Sequence, residues 1–275
     1  MHPMVNIAVR AARAAGDAIL RSVDRLDRVQ VESKGRYDFV CDVDRQAESV
    51  ILQTIRRAYP EHAILAEESG AHGESAETAE YTWIIDPLDG TANFLHGFPH
   101  IGISIAVQRG RQLEAGVVLD PLRGELFTAS RGNGAQLDGR RIRVTGRRSA
   151  EGALIGTGFP FKSPRLMPAY MGMFRAMAEQ SEDMRRAGSA ALDLAYVAAG
   201  RLDGYFELGL NPWDIAAGAL LVREAGGIVT DLDGEDNAMG CGHVVAGGPK
   251  VHHGVLTALR PYAADLPAQG GVRAG

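Results

Sequence analysis

Two aspartates stand three residues apart at the end of an apolar run. Asp86 and Asp89 follow Tyr81-Thr82-Trp83-Ile84-Ile85, with Pro87 and Leu88 between them and Gly90 and Thr91 directly after. The run is almost wholly aromatic or β-branched and reads as a buried strand. Proline fixes φ and donates no ladder hydrogen bond, so the strand is expected to end at Ile85. Asp-Gly then permits a tight turn with positive φ. A surface turn accounts for the Asp, Pro and Gly, but not for two acids at the end of a buried strand. Carboxylates placed there repel each other unless a cation neutralises them. Oxygen-only ligands suit a hard divalent ion such as Mg²⁺.

Other acids sit at comparable junctions. Glu67 and Glu68 follow a short apolar run over 62–66, where a solvated loop acid is the ordinary reading. Asp214 opens a helix-forming stretch, where an Asp is commonly an N-cap. Taken in order, these positions carry a family resemblance. Asp86-Pro87-Leu88-Asp89-Gly90-Thr91-Ala92-Asn93-Phe94 resembles the D-P-[IL]-D-G-T-x-N-F motif of the inositol monophosphatase family. Ala66-Glu67-Glu68-Ser69-Gly70 resembles its G/A-E-E-S/T element, and Pro212-Trp213-Asp214-Ile215-Ala216-Ala217-Gly218 its W-D-x-A-A/G-G element. The match runs from about Ala8 to Gly248, and three elements in the right order make it specific. Thr157-Gly158-Phe159-Pro160-Phe161 and Arg186-Ala187-Gly188-Ser189-Ala190-Ala191-Leu192-Asp193 resemble the bacterial extragenic-suppressor branch.

The resemblance implies a Mg²⁺-dependent, Li⁺-sensitive phosphomonoesterase that hydrolyses inositol monophosphate, with two or three Mg²⁺ ions per site. Glu67, Asp86, Asp89 and Asp214 are then the side-chain ligands, joined by the backbone carbonyl of Leu88. Thr91 orients the attacking water, Glu67 holds it or takes its proton, and Asp89 completes the catalytic set; Thr91 also suits a cap of the turn. The N–H groups of Gly90, Thr91 and Ala92 face the phosphate, as turns and helix starts do for anions. Lys34, Asp38 and Asp44 match positions that support a third metal or its waters. Substrate contacts fall on Leu88, Asp89, Gly90, Thr91, Gly188, Ser189, Ala190, Glu207 and Asp214, with Arg185 reaching the ligand from the same segment. Glu207 precedes Asp214 by seven and is expected to bind substrate hydroxyls; its plain alternative is a solvated strand-end acid. Related phosphatases of this fold take histidinol phosphate, fructose 1,6-bisphosphate or 3′-phosphoadenosine phosphates. The suppressor-branch likeness also implies contact with transcription or rRNA-processing (antitermination) machinery, and the family implies a homodimer.

Positioning these residues requires many elements. Val5, Ala8, Ala12, Ala15 and Ile19 recur at helical spacing, as do Val43, Ala47, Val50, Ile51, Thr54, Ile55 and Ala58 before a Tyr59-Pro60 stop. A strand is expected over 29–32, a loop over 33–38 and a flexible loop over 71–80. Segments 101–108, 113–119 and 125–130 read as an antiparallel meander, with a short hairpin within 134–144. Beyond 150, strands at 153–156, 204–208, 228–231 and 243–246 alternate with helices at 167–179, 190–199, 214–225 and 251–259, suggesting a more parallel sheet. Pattern alone gives an α/β or α+β chain in two halves. The resemblance sharpens this to an αβαβα layered sandwich. It is one phosphatase domain over 1–275: an antiparallel-sheet half to 149, an α/β half over 150–265 and a flexible tail over 266–275.

Composition narrows the alternatives. With 275 residues, 45% hydrophobic and 23% charged, the chain can bury a sizeable core. A net charge of −5 argues against a general nucleic-acid binder. Cys41 and Cys241 form no C-x-x-C, which fits a reduced compartment. No segment approaches membrane-spanning length, and Arg10, Arg13 and Asp17 interrupt any signal-like apolar region, so a cytoplasmic location is expected. Asp86 and Asp89 are spaced by three, not by the two of D-x-D-G-T phosphatases, and neither G-x-S-x-G nor a P-loop occurs. His96 and His100 flank Gly97 and Pro99 and make a poor helical metal pair; His252-His253 reads as solvated. Arg140, Arg141, Arg143, Arg147 and Arg148 read as a solvated hairpin edge, with RNA or partner binding as the alternative.

Overall fold

The computed structural model describes residues 3–26, 29–35, 38–74 and 78–266; the side chains at 34, 35, 38 and 39, the expected tail beyond 266 and residues 75–77 of the acidic loop lie outside that description. Two helices form the outer wall. These are α1 (Pro3–Val23) and, after the hairpin β1 (Val31–Gly35) and β2 (Asp38–Cys41), α2 (Asp42–Ala58). The hairpin stands where a strand and a loop were expected. Next come β3 (Ala63–Ala66), β4 (Gly70–His72), β5 (Tyr81–Asp89), the one-turn α3 (Thr91–Leu95), β6 (Gly102–Arg109), β7 (Gln112–Asp120), β8 (Glu125–Ser130), β9 (Gly134–Leu137) and β10 (Arg140–Arg141). They build an eight-stranded sheet in the order β10-β9-β8-β7-β6-β5-β3-β4, parallel only between β3 and β5.

The second half supplies β11 (Leu154–Thr157), a 3-10 turn at Pro164–Leu166, α4 (Met167–Ala178), β12 (Asp183–Arg185), α5 (Ala190–Ala198), β13 (Gly204–Leu208), α6 (Pro212–Glu224), β14 (Ile228–Thr230), α7 (Ala238–Cys241), β15 (His243–Gly247) and α8 (Pro249–Ala263). Its five-stranded sheet runs β12-β11-β13-β15-β14. β11 is parallel to both neighbours and β15 antiparallel to both of its own, so this sheet is mixed and, as expected, more parallel than the larger one. The strand content of 183–185 and the short α7 carry too few apolar residues to show a period.

Side-chain alternation sets the layers. On the larger sheet, Trp83, Ile85, Ile105 and Val117 pack against Ala12, Ile19, Ile51 and Ile55 of α1 and α2. The opposite face, with Ile84, Ala106, Val118 and Phe127, meets α5 and α6, which also cover Tyr205, Val244 and Ala246 of the smaller sheet. The outer face of that sheet, with Ile155, Phe206 and Val245, packs under α4 and α8. The order α1/α2, sheet, α5/α6, sheet, α4/α8 is the expected αβαβα sandwich. A fully buried Val, Leu or Phe stabilises such layers by about 1.5–3 kcal/mol. The sheet and α6 approach closely at Gly116, where a Cβ would lie 3.1 Å from the Ala217 carbonyl oxygen and force the backbone of α6 to give.

Candidate active site between the two halves

Asp86 and Asp89 share one face of the larger sheet because β5 carries a bulge. Residues three apart in a regular strand point to opposite faces. Asp86 pairs with Ser104 and Asp89 with Gly102, so β5 holds one residue more than β6, which returns both acids to the side of α5 and α6. Proline is tolerated because the bulge asks no ladder bond of it. The strand thus continues to Asp89, past the expected end at Ile85. Within the bulge the Leu88 N–H donates to Asp86 Oδ1 at 3.0 Å, and its carbonyl accepts from Thr91 Oγ1 at 3.1 Å. Gly90 turns the chain at φ 94°, a conformation glycine adopts freely.

The second half brings its residues to the same point. Asp214 is not the N-cap of α6; Asn211 is, and its N–H donates to Asp214 Oδ2 at 2.7 Å in a capping box. The hydroxyl of Ser104, which faces Asp86 in the ladder, donates to the Trp213 carbonyl at 3.0 Å, so one serine registers Asp214 against Asp86. Asn93 Nδ2 donates to the carbonyls of His100 and Ala187 at 2.7 and 2.9 Å and so fixes the segment leading into α5. Ser189 Oγ and the Ala191 N–H then both donate to Asp89 Oδ2 at 2.7 Å.

Carboxylate oxygens of Asp86, Asp89 and Asp214 lie within 4.8 Å of one another. Glu67 joins them from the turn after β3 and hydrogen-bonds to the Asp86 carboxyl, while Glu68 does not line the cleft. Burial, followed by the charges of Glu67, Asp89 and Asp214, holds the Asp86 carboxyl well above its ordinary range. Asp214 is raised in the same way, by burial and then by Glu67 and Asp89. Burial also raises Asp89, against the pull of its Ser189 and Ala191 donors. Oxygen donors this dense and this poorly hydrated fit a hard divalent cation.

Thr91 Oγ1 also lies 3.0 Å from Asp44 Oδ1. Asp44 is 1% exposed, and its other oxygen accepts from the Cys41 N–H at 2.8 Å and Sγ at 2.6 Å. Burial pushes the Cys41 thiol up to about 12, so it is a donor and not a nucleophile. The side chains of Lys34 and Asp38 fall outside the described residues.

A cleft of about 790 Å³ opens above the acids and is lined by Leu88, Asp89, Gly90, Thr91, Gly188, Ala190, Glu207 and Asp214, all expected at the substrate. Two expected contacts are placed elsewhere. Ser189 is 1% exposed and spends its hydroxyl on Asp89. Arg185 points outward and pairs with Asp183 at 2.5 Å; the cleft residue is its neighbour Arg186. Lys162, Phe159, Phe161 and His96 also line the cleft without having been assigned roles. Glu207 accepts from the Tyr205 hydroxyl, and burial lifts its carboxyl to about 8. His252, expected in solvent, is buried with Nε2 2.9 Å from Thr230 Oγ1. Of the basic cluster, Arg147 pairs with Asp203 at 3.0 Å and Arg143 donates to the Glu224 carbonyl at 3.3 Å.

A family model described as the inositol monophosphatase family matches residues 1–263. The chain belongs to this family. Among its relatives is the Nus factor SuhB of Pseudomonas aeruginosa, 54% identical over 264 residues, covering 95% of this chain and 97% of that one. The extragenic suppressor protein suhB of Bartonella henselae superposes with a TM-score of 0.89 at 41% identity, covering 94% and 98% of the two chains. An inositol monophosphatase from Anabaena superposes at 0.84 with 37% identity, covering 96% of each. The family is one of phosphatases and is generally metal-dependent. Among the described residues no helix is long and apolar enough to cross a membrane.

Proposed function

We propose that the protein is a Mg²⁺-dependent phosphomonoesterase acting on inositol monophosphate and like polyol esters. The observation that carries this is the convergence of Glu67, Asp86, Asp89 and Asp214 beside a threonine already held by a buried aspartate. These four carboxylates, with the Leu88 carbonyl, would hold two or three Mg²⁺ ions. When bound, the ions lower the pKa of a water and neutralise charge on the phosphoryl and leaving oxygens.

The chain's own groups do the rest. With the Leu88 carbonyl turned to metal, Thr91 donates its one hydroxyl hydrogen to Asp44 and so offers its oxygen as an acceptor to the attacking water. Glu67 takes up or holds the proton that water gives up. Asp89, locked by Ser189 and Ala191, keeps the ligand geometry fixed. Gly90, Thr91 and Ala92 present backbone at the phosphate end of the cleft, and Glu207 stands where substrate hydroxyls would lie. The water oxygen bonds to phosphorus, the phosphorus–alkoxide bond breaks, and the alkoxide takes a proton from solvent water and leaves as the alcohol while Glu67 returns its proton to solvent.

Phosphate release from a panel of inositol, sugar and nucleotide phosphates, with Mg²⁺, with EDTA and with Li⁺, tests the reading. Release that needs Mg²⁺, falls with Li⁺ and is fastest on inositol 1-phosphate is expected. Equal rates in EDTA would overturn the metal chemistry, and a different leading ester would change the substrate.

A second role is favoured by the relatives named Nus factor SuhB. It is an interaction with transcription or rRNA-processing machinery, made by a cytoplasmic homodimer. It predicts that an Asp89→Asn variant loses phosphate release but still retains RNA polymerase-associated proteins in a pull-down. Loss of both together would count against an independent binding role.

A further inference from the structure

The far end of the cleft carries a cation that the phosphate chemistry does not use. Arg186 lies with its guanidinium carbon 5.9 Å from the Phe159 ring centroid and 5.4 Å from that of Phe161. Both rings line the cleft with it. Among the described residues it is in no salt bridge, whereas its neighbour Arg185 is paired outward. A guanidinium stacked on rings spends its faces on them and keeps its edge of N–H donors for a planar anion. One donor nitrogen lies against the cleft wall, since a Cβ on Gly188 would stand only 2.7 Å from Arg186 Nη1, while the side chain stays exposed at the mouth of the cleft. Gly188 in turn abuts Gly90, whose own Cβ would stand 3.2 Å from the Gly188 carbonyl oxygen. Asp89, Gly90, Gly188 and Arg186 therefore form a continuous wall, with the metal acids at one end and the guanidinium at the other.

Both cleft cations face acids. Against the burial that raises them, Lys162 lowers Asp89 and Asp214. Arg186 likewise lowers Glu207 and Asp193. We propose that Arg186 reads a second anionic group on the leaving alcohol, so that among linear polyol phosphates, which lack the inositol ring, the cleft favours an ester whose far end is a carboxylate or phosphate over its neutral counterpart. This rests on the phosphatase reading above for its substrate, but not for its binding. A hydrogen bond between charged partners sets the expected size, roughly tenfold to a hundredfold in affinity.

The test uses a matched pair, glucitol 6-phosphate and 6-phosphogluconate, which differ by a terminal hydroxymethyl against a carboxylate. The full-length protein with Mg²⁺ is expected to turn over the carboxylate ester with the higher kcat/KM. Arg186→Gln should lower that value roughly tenfold or more, chiefly through KM, and leave the neutral ester within about twofold. Arg186→Lys keeps the charge without the fork and should fall between. Equal losses on both esters, or no wild-type preference, would overturn the proposal. Calorimetric titration of metal-free protein with gluconate supplies a readout without turnover. Binding that Arg186→Gln abolishes, with neither ester hydrolysed, would keep the anion subsite and sink the phosphatase reading. Hydrolysis of both esters with identical gluconate binding by wild type and variant would do the reverse.

Discussion

Asp89 is the residue on which most of the site's geometry depends, and it is held from the other half of the chain. Its Oδ2 takes two donors, from Ser189 and Ala191. Ser189→Ala removes one of them together with the N-cap of α5, so Mg²⁺ affinity measured by calorimetry should fall roughly 10- to 100-fold. The fold should survive, since a lost N-cap costs only about 1 kcal/mol. Thr91 makes a different prediction. Thr91→Val keeps the shape and removes the hydroxyl shared with Asp44, so kcat should drop roughly a hundredfold or more with little change in KM, and Thr91→Ser should recover most of it. At this scale the acids were legible in the sequence because their motifs are local: each carries its own turn or helix start beside it. Arg186 was not. Arg185 and Arg186 are identical neighbours, and only the register of β12, which ends at Arg185 and places it with Asp183, decides which one lines the cleft.

Elements matter here mainly through two departures from regularity. The bulge in β5 was hidden because Asp-Pro signals a stop and nothing in the local sequence reveals that β6 continues to pair beyond it. Its cost is concentrated at Gly90, at φ 94° with carbonyls of His100 and Gly188 on both sides. Gly90→Ala should therefore destabilise by at least about 1–2 kcal/mol for the left-handed backbone alone, read as a lower urea midpoint with an unchanged slope. The second departure is the turn at Gly132 and Gly134, whose N–H groups both donate to the Glu224 carboxylate at the end of α6, at 2.8 and 2.7 Å. The apolar strands and helices were read with near-correct bounds because their periods are strong. The hairpin β1–β2 was not, since Val31–Gly35 is short and mostly polar and shows no alternation, and the antiparallel place of β15 was not, since it depends on a pairing distant in sequence.

The whole molecule holds a dense buried acid cluster, and its stability should reflect that. The proposed metal ligands come from both halves, so saturating Mg²⁺ is expected to raise Tm, by about 2.7 kcal/mol of stability at a hundred times Kd. Asp214→Asn should blunt that gain. A pH dependence follows from Glu207, whose carboxyl is lifted to about 8 by burial from an unfolded value near 4.5. The folded state then binds the extra proton between those values, so this contribution is full below about 4.5 and is lost as pH rises through 8. Glu207→Gln should show a shallower fall in Tm between pH 6 and 9 than the native chain. The layer order has a consequence for synthesis as well. The inner face of the larger sheet, with Ile84, Ala106, Val118 and Phe127, is covered by α5 and α6. A ribosome releases the sheet first, so a nascent chain must carry a bare apolar face, with two aspartates set into its edge, until residues beyond 190 emerge. The interval between those two events is when a chaperone has something to hold, and any stall placed there would leave the growing protein at its stickiest.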